Sequence, residues 1–293
     1  MKGPSSKKRV AQRKPPWLKR RLPAGPVYGT VCRTIGARKL HTVCQEAQCP
    51  NQWECFSNKT ATFLILGARC TRRCRFCAVA HGPQGPPDPE EPVRLAEAAA
   101  EMGLEYVVVT SVTRDDLPDG GAGVFAATIR AIRRRLPQAL VEVLIPDFEG
   151  SLAALDTVLD ARPDVLNHNL ETVPRLYATV RPEADYARSL HLLEASRVRA
   201  PSIPTKSGLM LGLGESDAEI RLSLADLAAV DCRMVTLGQY LQPSPEHLPV
   251  ATYVTPEAFE GWRREALAMG FDQAACGPLV RSSYQARELF QSL

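Results

Sequence analysis

From Thr60 onward the chain repeats one pattern: a short apolar run rich in Val, Ile and Leu, then an amphipathic stretch with helical spacing. The runs are 61–66, 106–110, 140–145, 165–170, 208–211 and 234–237. Helices are expected to begin near Arg72, Gly121, Ser151, Pro182, Ser216 and Thr255, with another near Pro92 before the second run. Ser216-Asp-Ala-Glu219 has the form of a capping box, and Thr255 precedes a proline suited to a first helical position. The runs lack a period of two, as expected of parallel strands buried on both faces. Six βα units argue for an α/β fold, either a parallel barrel or an open doubly wound sheet. They are too few for a full eight-stranded barrel.

Of nine cysteines, six fall between Cys44 and Cys77, whereas Cys32, Cys232 and Cys276 are scattered and read as small buried apolar residues. The strongest signal is Cys70-Thr-Arg-Arg-Cys74-Arg-Phe-Cys77, directly after the first strand. Three thiolates on one loop can ligate three irons of a four-iron cubane, leaving one iron without a ligand from that loop. An open position is where a catalytic metal takes substrate. The competing readings are a zinc site or unpaired core cysteines, but zinc ligands favour paired Cys-x2-Cys or Cys/His sets. The second signal is Cys44-Gln-Glu-Ala-Gln-Cys49-Pro-Asn-Gln-Trp-Glu-Cys55. Its different spacing argues for a separate site, with structural zinc the alternative.

Cys-x3-Cys-x2-Cys with Phe76 before the last thiol resembles the signature of radical S-adenosylmethionine (SAM) enzymes. The two triplets in this order resemble the lipoyl synthase family. The words Pro16-Trp17-Leu18, Leu22-Pro23, Thr42-Val-Cys44 and Cys49-Pro-Asn51 agree, and the likeness runs from about Pro15 to Tyr284. It implies a partial (β/α)6 TIM-type barrel at 60–272. An irregular arm at 1–59 would precede it, and a short extension at 273–293 would follow. It also implies two [4Fe–4S] clusters. Cys70, Cys74 and Cys77 would hold the one whose open iron chelates SAM. Cys44, Cys49 and Cys55 would hold an auxiliary cluster that is the sulfur source and is consumed. The family's Arg-Ser-Ser-Tyr motif, here Arg281–Tyr284, makes Ser283 the fourth ligand, with Ser282 the fallback.

The same resemblance places SAM against Gly208, Met210 and Gly212 of the Gly208–Glu215 segment, and against Asn169 and Glu171 after the fourth run. His168 reads equally as a satisfied core histidine. Ser111 stands where many radical SAM enzymes carry Gly-Gly-Glu, a departure that weakens the assignment there. Arg181 is a candidate partner for the SAM carboxylate, a surface salt bridge being the alternative. The implied reaction is insertion of sulfur at C6 and C8 of an octanoyl-lysine, with two SAM molecules used per lipoyl group. Implied partners are octanoylated carrier domains (2-oxoacid dehydrogenase E2 subunits and the glycine cleavage H protein). A low-potential donor such as ferredoxin or flavodoxin and an iron–sulfur carrier for rebuilding the cluster complete the set.

Charge is placed unevenly. Residues 1–21 hold nine Lys/Arg and no acid, so the net charge of +4 belongs to a tail on a mildly acidic body. This reads as a solvated end, with a contact to an acidic partner the alternative. Arg133–Arg135 reads as a solvated helix face, or as a dock for an acidic carrier. No run of about 18 apolar residues occurs, so no membrane span is expected. The start lacks the apolar centre of a secretory signal. A reducing, cytoplasmic setting is expected, with an organellar transit peptide left open. Three rival readings remain: another two-cluster radical SAM sulfur inserter, a two-cluster electron carrier, and a zinc-dependent nucleic-acid binder. Trp17 is the only aromatic in the basic arm, too few for a base-stacking surface, so no nucleic-acid partner is expected.

Overall fold

The computed structural model describes residues 13–19, 26–58, 60–284 and 286–291. Most of the basic tail and the Leu22-Pro23 word lie outside the described residues. The elements in order are α1 (Pro26–Ala37), β1 (His41–Thr42), α2 (Val43–Glu46), α3 (Gln52–Ser57), β2 (Thr62–Ile65), α4 (Glu91–Glu101), β3 (Tyr106–Ser111), α5 (Ala122–Arg135) and β4 (Leu140–Leu144). Then follow α6 (Leu152–Leu159), β5 (Val165–Asn167), α7 (Tyr177–Val180), α8 (Tyr186–Arg199), β6 (Thr205–Leu211), α9 (Asp217–Ala229), β7 (Met234–Gln239), α10 (Pro256–Ala268), β8 (Gln273–Gly277) and α11 (Ala286–Gln291).

All eight strands form one sheet in chain order. β1 is antiparallel to β2, and β2 through β8 are parallel. A doubly wound sheet reverses its strand order part-way; this one never does. The order is therefore that of a barrel, left unclosed because β1 and β8 remain edges. The six expected βα units are present, with β8 added after the sixth. Helix starts follow local capping chemistry. Ser151 and Thr255 accept from the N–H groups of Ala154 and Ala258, and Ser216 with Glu219 forms the full capping box.

Four expectations are corrected. No helix begins at Arg72; the chain runs as an irregular loop from Leu66 to α4, because the Arg72 side chain is spent on anchoring that loop. The helix expected near Pro182 starts at Tyr186, where the Asp185 carboxylate caps it. The arm is not irregular. α1 packs Val31 and Ile35, one turn apart, against the core, and α3 packs beside it. Finally, Gln273–Gly277 joins the sheet as β8, so it belongs to the barrel and not to the C-terminal segment.

Two apolar cores flank the sheet, one around β2–β5 and one around β6 and β7. The barrel interior holds a polar cluster. Glu142 on β4 takes Lys206 Nζ of β6 at 2.9 Å, Tyr106 OH of β3 at 2.7 Å and Asn167 Nδ2 of β5 at 3.2 Å. Glu142 and Lys206 are each 1% exposed, and a charge buried so deeply persists only when paired. α11 seats Ala286 against Tyr106 and Val108, and Leu289 against Val165 and Met234. These contacts lie toward the strand starts and tie down the far end of the Arg281–Tyr284 turn.

Candidate active site

The Cys70 loop leaves β2 through Leu66 at φ +69° and Gly67 at φ +93°. The Leu66 N–H donates to Glu91 Oε2 at 2.9 Å, holding this unusual backbone in place. Cys70 N–H to Ala80 O at 2.8 Å, and Gly82 N–H to Cys70 O at 3.0 Å, close the loop on itself. Inside it, Arg72 lies 5% exposed, forked onto Asp115 (2.8 and 2.9 Å) and reaching Asp147 at 2.6 Å. The segment after β7 latches the other side. Leu248 N–H donates to Arg75 O at 3.2 Å, and His247 Nε2 stands 3.0 Å from Cys77 O.

Burial pushes the Cys74 thiol up to about 11 against the lowering charge of Arg181, and the Cys77 thiol up to about 12, with neighbouring thiols contributing to both rises. Cys70 Sγ accepts from the Thr113 N–H at 3.3 Å.

The second triplet is built on two short helices. Thr42 caps α2, which buries Cys44. Cys49 follows at a turn, its N–H bonding Cys44 O at 3.1 Å, and α3 carries Cys55. Burial raises Cys44 to about 12, with the Thr62 N–H opposing and the Cys49 charge adding. The C-terminal turn folds onto this arm. Asn51 Nδ2 donates to Leu279 O at 2.6 Å, and Tyr284 OH donates to Glu54 Oε1 at 3.0 Å. Thr62 Oγ1 donates to Ser283 Oγ at 2.7 Å. Thr62 thus touches both Cys44 and Ser283. Arg281 is half-buried, and desolvation lowers its pKa, while the charges of Cys49 and Glu171 oppose that shift. The guanidinium thus feels charges from both the Cys49 arm and the segment after β5.

The expected SAM residues gather at the strand ends of one barrel mouth. Asn169 and Glu171 follow β5, Glu171 at φ +66°. Ser111 ends β3, and Gly208 and Met210 share one face of β6. Phe76 is half-buried against the second core. A side chain at Gly208 would collide with Thr236 Oγ1, and one at Gly212, φ +99°, with Gln239 and the Thr252 carbonyl. Glu215 accepts from Gly212 N–H, and from Leu213 N–H at 2.9 Å, so it closes this turn. Arg181 is 8% exposed and makes no surface salt bridge; its Nη1 donates to Asn169 O at 2.8 Å and Leu170 O at 3.0 Å. His168 is satisfied, Nδ1 2.9 Å from Ile145 O and Nε2 3.0 Å from Ser189 Oγ.

A model of the radical SAM superfamily matches residues 64–227, and one of the N-terminal domain of lipoyl synthase matches residues 2–49. A lipoyl synthase of Desulfotalea psychrophila is 56% identical over 95% of this chain and 93% of its own length. One of Thiobacillus denitrificans is 59% identical over 94% of this chain and 89% of its own. The chain belongs to the lipoyl synthase family. Solved structures bear on the fold alone. Methylornithine synthase superposes with a TM-score of 0.55 at 14% identity, covering 84% of this chain and 69% of that one. Streptococcus suis SuiB bound to S-adenosylmethionine superposes at 0.53 and 11% identity, covering 74% and 50%.

Lipoyl synthases are radical SAM enzymes, so SAM and an iron–sulfur cluster belong to this chain's chemistry. The residues present fit both groups. Ser111 Oγ, Asn169 Oδ1, Thr172 Oγ1 and Arg181 Nε are buried polar atoms with no partner in the chain. Buried polar groups require one, and a polar cosubstrate bound here would supply it. Among the described residues, no three His, Cys, Asp or Glu side chains are gathered for a single metal ion. Thiolates on a cubane stand further apart than ligands on one ion.

Thr62, Arg72, Asp115, Asp147, His247 and Arg281 were not assigned from the sequence. Only Arg72 and Arg281 carried a signal there, one lying inside each motif. Cys232 is buried as expected, whereas Cys32 and Cys276 are half-buried against the two cores. Arg133 is not free on a solvated face; it pairs with Asp164 at 2.6 Å. No helix among the described residues is long and apolar enough to cross a membrane.

Proposed function

We propose that the chain inserts two sulfur atoms, at C6 and C8, into an N6-octanoyl-lysine of a lipoyl carrier domain, using two [4Fe–4S] clusters of different fate. Cys70, Cys74 and Cys77 hold the first, and Cys44, Cys49, Cys55 and Ser283 the second. The observation that carries this reading is the Arg281–Tyr284 turn, whose Ser283 Oγ meets Thr62 Oγ1 while the Thr62 N–H meets Cys44. Bound together, the first cluster and SAM supply one-electron chemistry that takes hydrogen from an unactivated alkyl carbon, beyond the reach of protein acids and bases.

The chain's own residues bind, orient and shield. Arg72 and the His247 segment hold the thiol loop still. Ser111, Asn169, Glu171 and Arg181 present polar atoms to SAM beside Gly208, Met210 and Gly212, with Phe76 backing the loop. The thiols must lose protons to ligate iron. A serine oxygen is a harder ligand for cluster iron than thiolate, which suits an iron that is to be released. The open edges of the barrel admit a long acyl chain on a carrier. E2 subunits and the H protein are the proposed carriers, ferredoxin or flavodoxin the reductant, an iron–sulfur carrier the means of rebuilding, and the cytoplasm the setting. The proposed organisation is arm, barrel and C-terminal turn.

The test is an oxygen-free incubation with SAM, a reductant and an octanoyl-lysine peptide, followed by mass spectrometry. Expected products are 5′-deoxyadenosine and a peptide carrying two sulfurs. Cys74→Ala should abolish both, whereas Cys49→Ala should spare SAM cleavage and stop sulfur addition. Lipoyl product from Cys49→Ala would overturn the donor-cluster assignment.

A further inference from the structure

Ser282 and Ser283 are neighbours in one turn, yet their hydroxyls engage different strands. Ser283 Oγ accepts from Thr62 Oγ1 at 2.7 Å, at the start of β2 beside Cys44. Ser282 Oγ accepts from Asn169 Nδ2 at 2.8 Å, just beyond the end of β5. The other N–H of that amide goes to Glu171 Oε1 at 3.0 Å. A primary amide has two N–H donors and one carbonyl acceptor, so both donors of Asn169 are spent. Its Oδ1 is buried with no partner. A side chain at Gly208 would come within 3.1 Å of that oxygen and closer still to Thr236 Oγ1, so Oδ1 lies against the bare backbone of Gly208 beside Thr236. The Asn169 backbone is held as well, its carbonyl accepting from Arg181 Nη1 at 2.8 Å.

We infer that the two serines serve two sites: Ser283 faces the auxiliary arm, while Ser282 is a positioning residue for SAM, acting through Asn169. Ser282 and Glu171 together fix which way the amide points, so that its acceptor meets a hydrogen-bond donor of SAM. Without the Ser282 hydroxyl, one amide N–H loses its acceptor. The side chain can then flip and set an N–H against the donor it should receive. This inference rests on the SAM-site reading above.

The measurement is equilibrium binding of SAM to oxygen-free, cluster-loaded, unreduced protein, with no turnover. Ser282→Ala should raise the dissociation constant about three- to tenfold, the range of one hydrogen bond. Ser282→Thr, which keeps a hydroxyl, should restore it, and KM for the octanoyl peptide should stay unchanged. Because the effect passes through Asn169, the Ser282→Ala/Asn169→Ala pair should lose no more affinity than Asn169→Ala alone. Wild-type affinity in Ser282→Ala, failure of Ser282→Thr to restore it, or additive losses in the pair would each overturn the inference. Failure of the wild-type protein to bind SAM would instead count against the SAM-site reading itself.

Discussion

His168 shows how one buried side chain records its surroundings. Burial holds its pKa down at about 4, with the Arg181 charge adding to the shift. An unfolded histidine titrates near 6.5. Between those values the unfolded chain takes up a proton that the folded chain refuses, so stability is full above about pH 6.5 and falls as pH drops toward 4. The loss amounts to no more than about 3 kcal/mol. Urea unfolding at pH 7 and pH 5 should show His168→Gln losing less stability over this range than wild type; equal losses would contradict the assignment. The sequence left His168 undecided because a polar residue on a buried strand serves a core or a ligand equally well. The serine pair was ambiguous for a related reason. Adjacent residues point different ways, and only the turn geometry shows which hydroxyl meets Thr62.

At the scale of elements, the Cys70 loop is held by ion pairs more than by secondary structure. Burial alone would lower the Arg72 pKa, but the hydrogen bonds it donates to Asp115 and Asp147 reverse this and raise it. Asp147 is fully buried, with Arg188 as its other cation at 3.3 Å. Removing one member of a buried pair typically costs about 3–5 kcal/mol. Arg72→Ala should therefore lower the urea midpoint and reduce the iron retained by the Cys70 site. Arg72→Lys should recover only part of this, since lysine cannot fork onto a carboxylate. Full iron loading in Arg72→Ala would show that the thiols alone set the loop. The helix expected at Arg72 failed because local periodicity does not register a side chain engaged with two later loops. β8 escaped notice because Gln273-Ala-Ala-Cys-Gly277 has no β-branched residue; its register comes from pairing with β7, Met234 opposite Gln273. α1 escaped because Gly29, Gly36 and several β-branched residues weaken helix propensity. Tertiary packing of Val31 and Ile35 outweighs that weakness.

Across the whole molecule, the βα rhythm was legible because Val/Ile-rich strands buried on both faces need no partner to announce themselves. The cysteine spacing was legible because ligation constrains it. What could not be read was how residues more than 200 positions apart meet: Asn51 with Leu279, Thr62 with Ser283, Glu54 with Tyr284. Those contacts bring residues 279–284 onto residues 51–62. The central claim is that the chain carries two four-iron centres, one durable and one spent. Iron counted per chain in oxygen-free protein, before and after a single round of product formation, tests it most directly. The account predicts about eight irons falling to about four, with the loss abolished in Cys74→Ala. About four irons at the outset, or a count unchanged after product has formed, would contradict it.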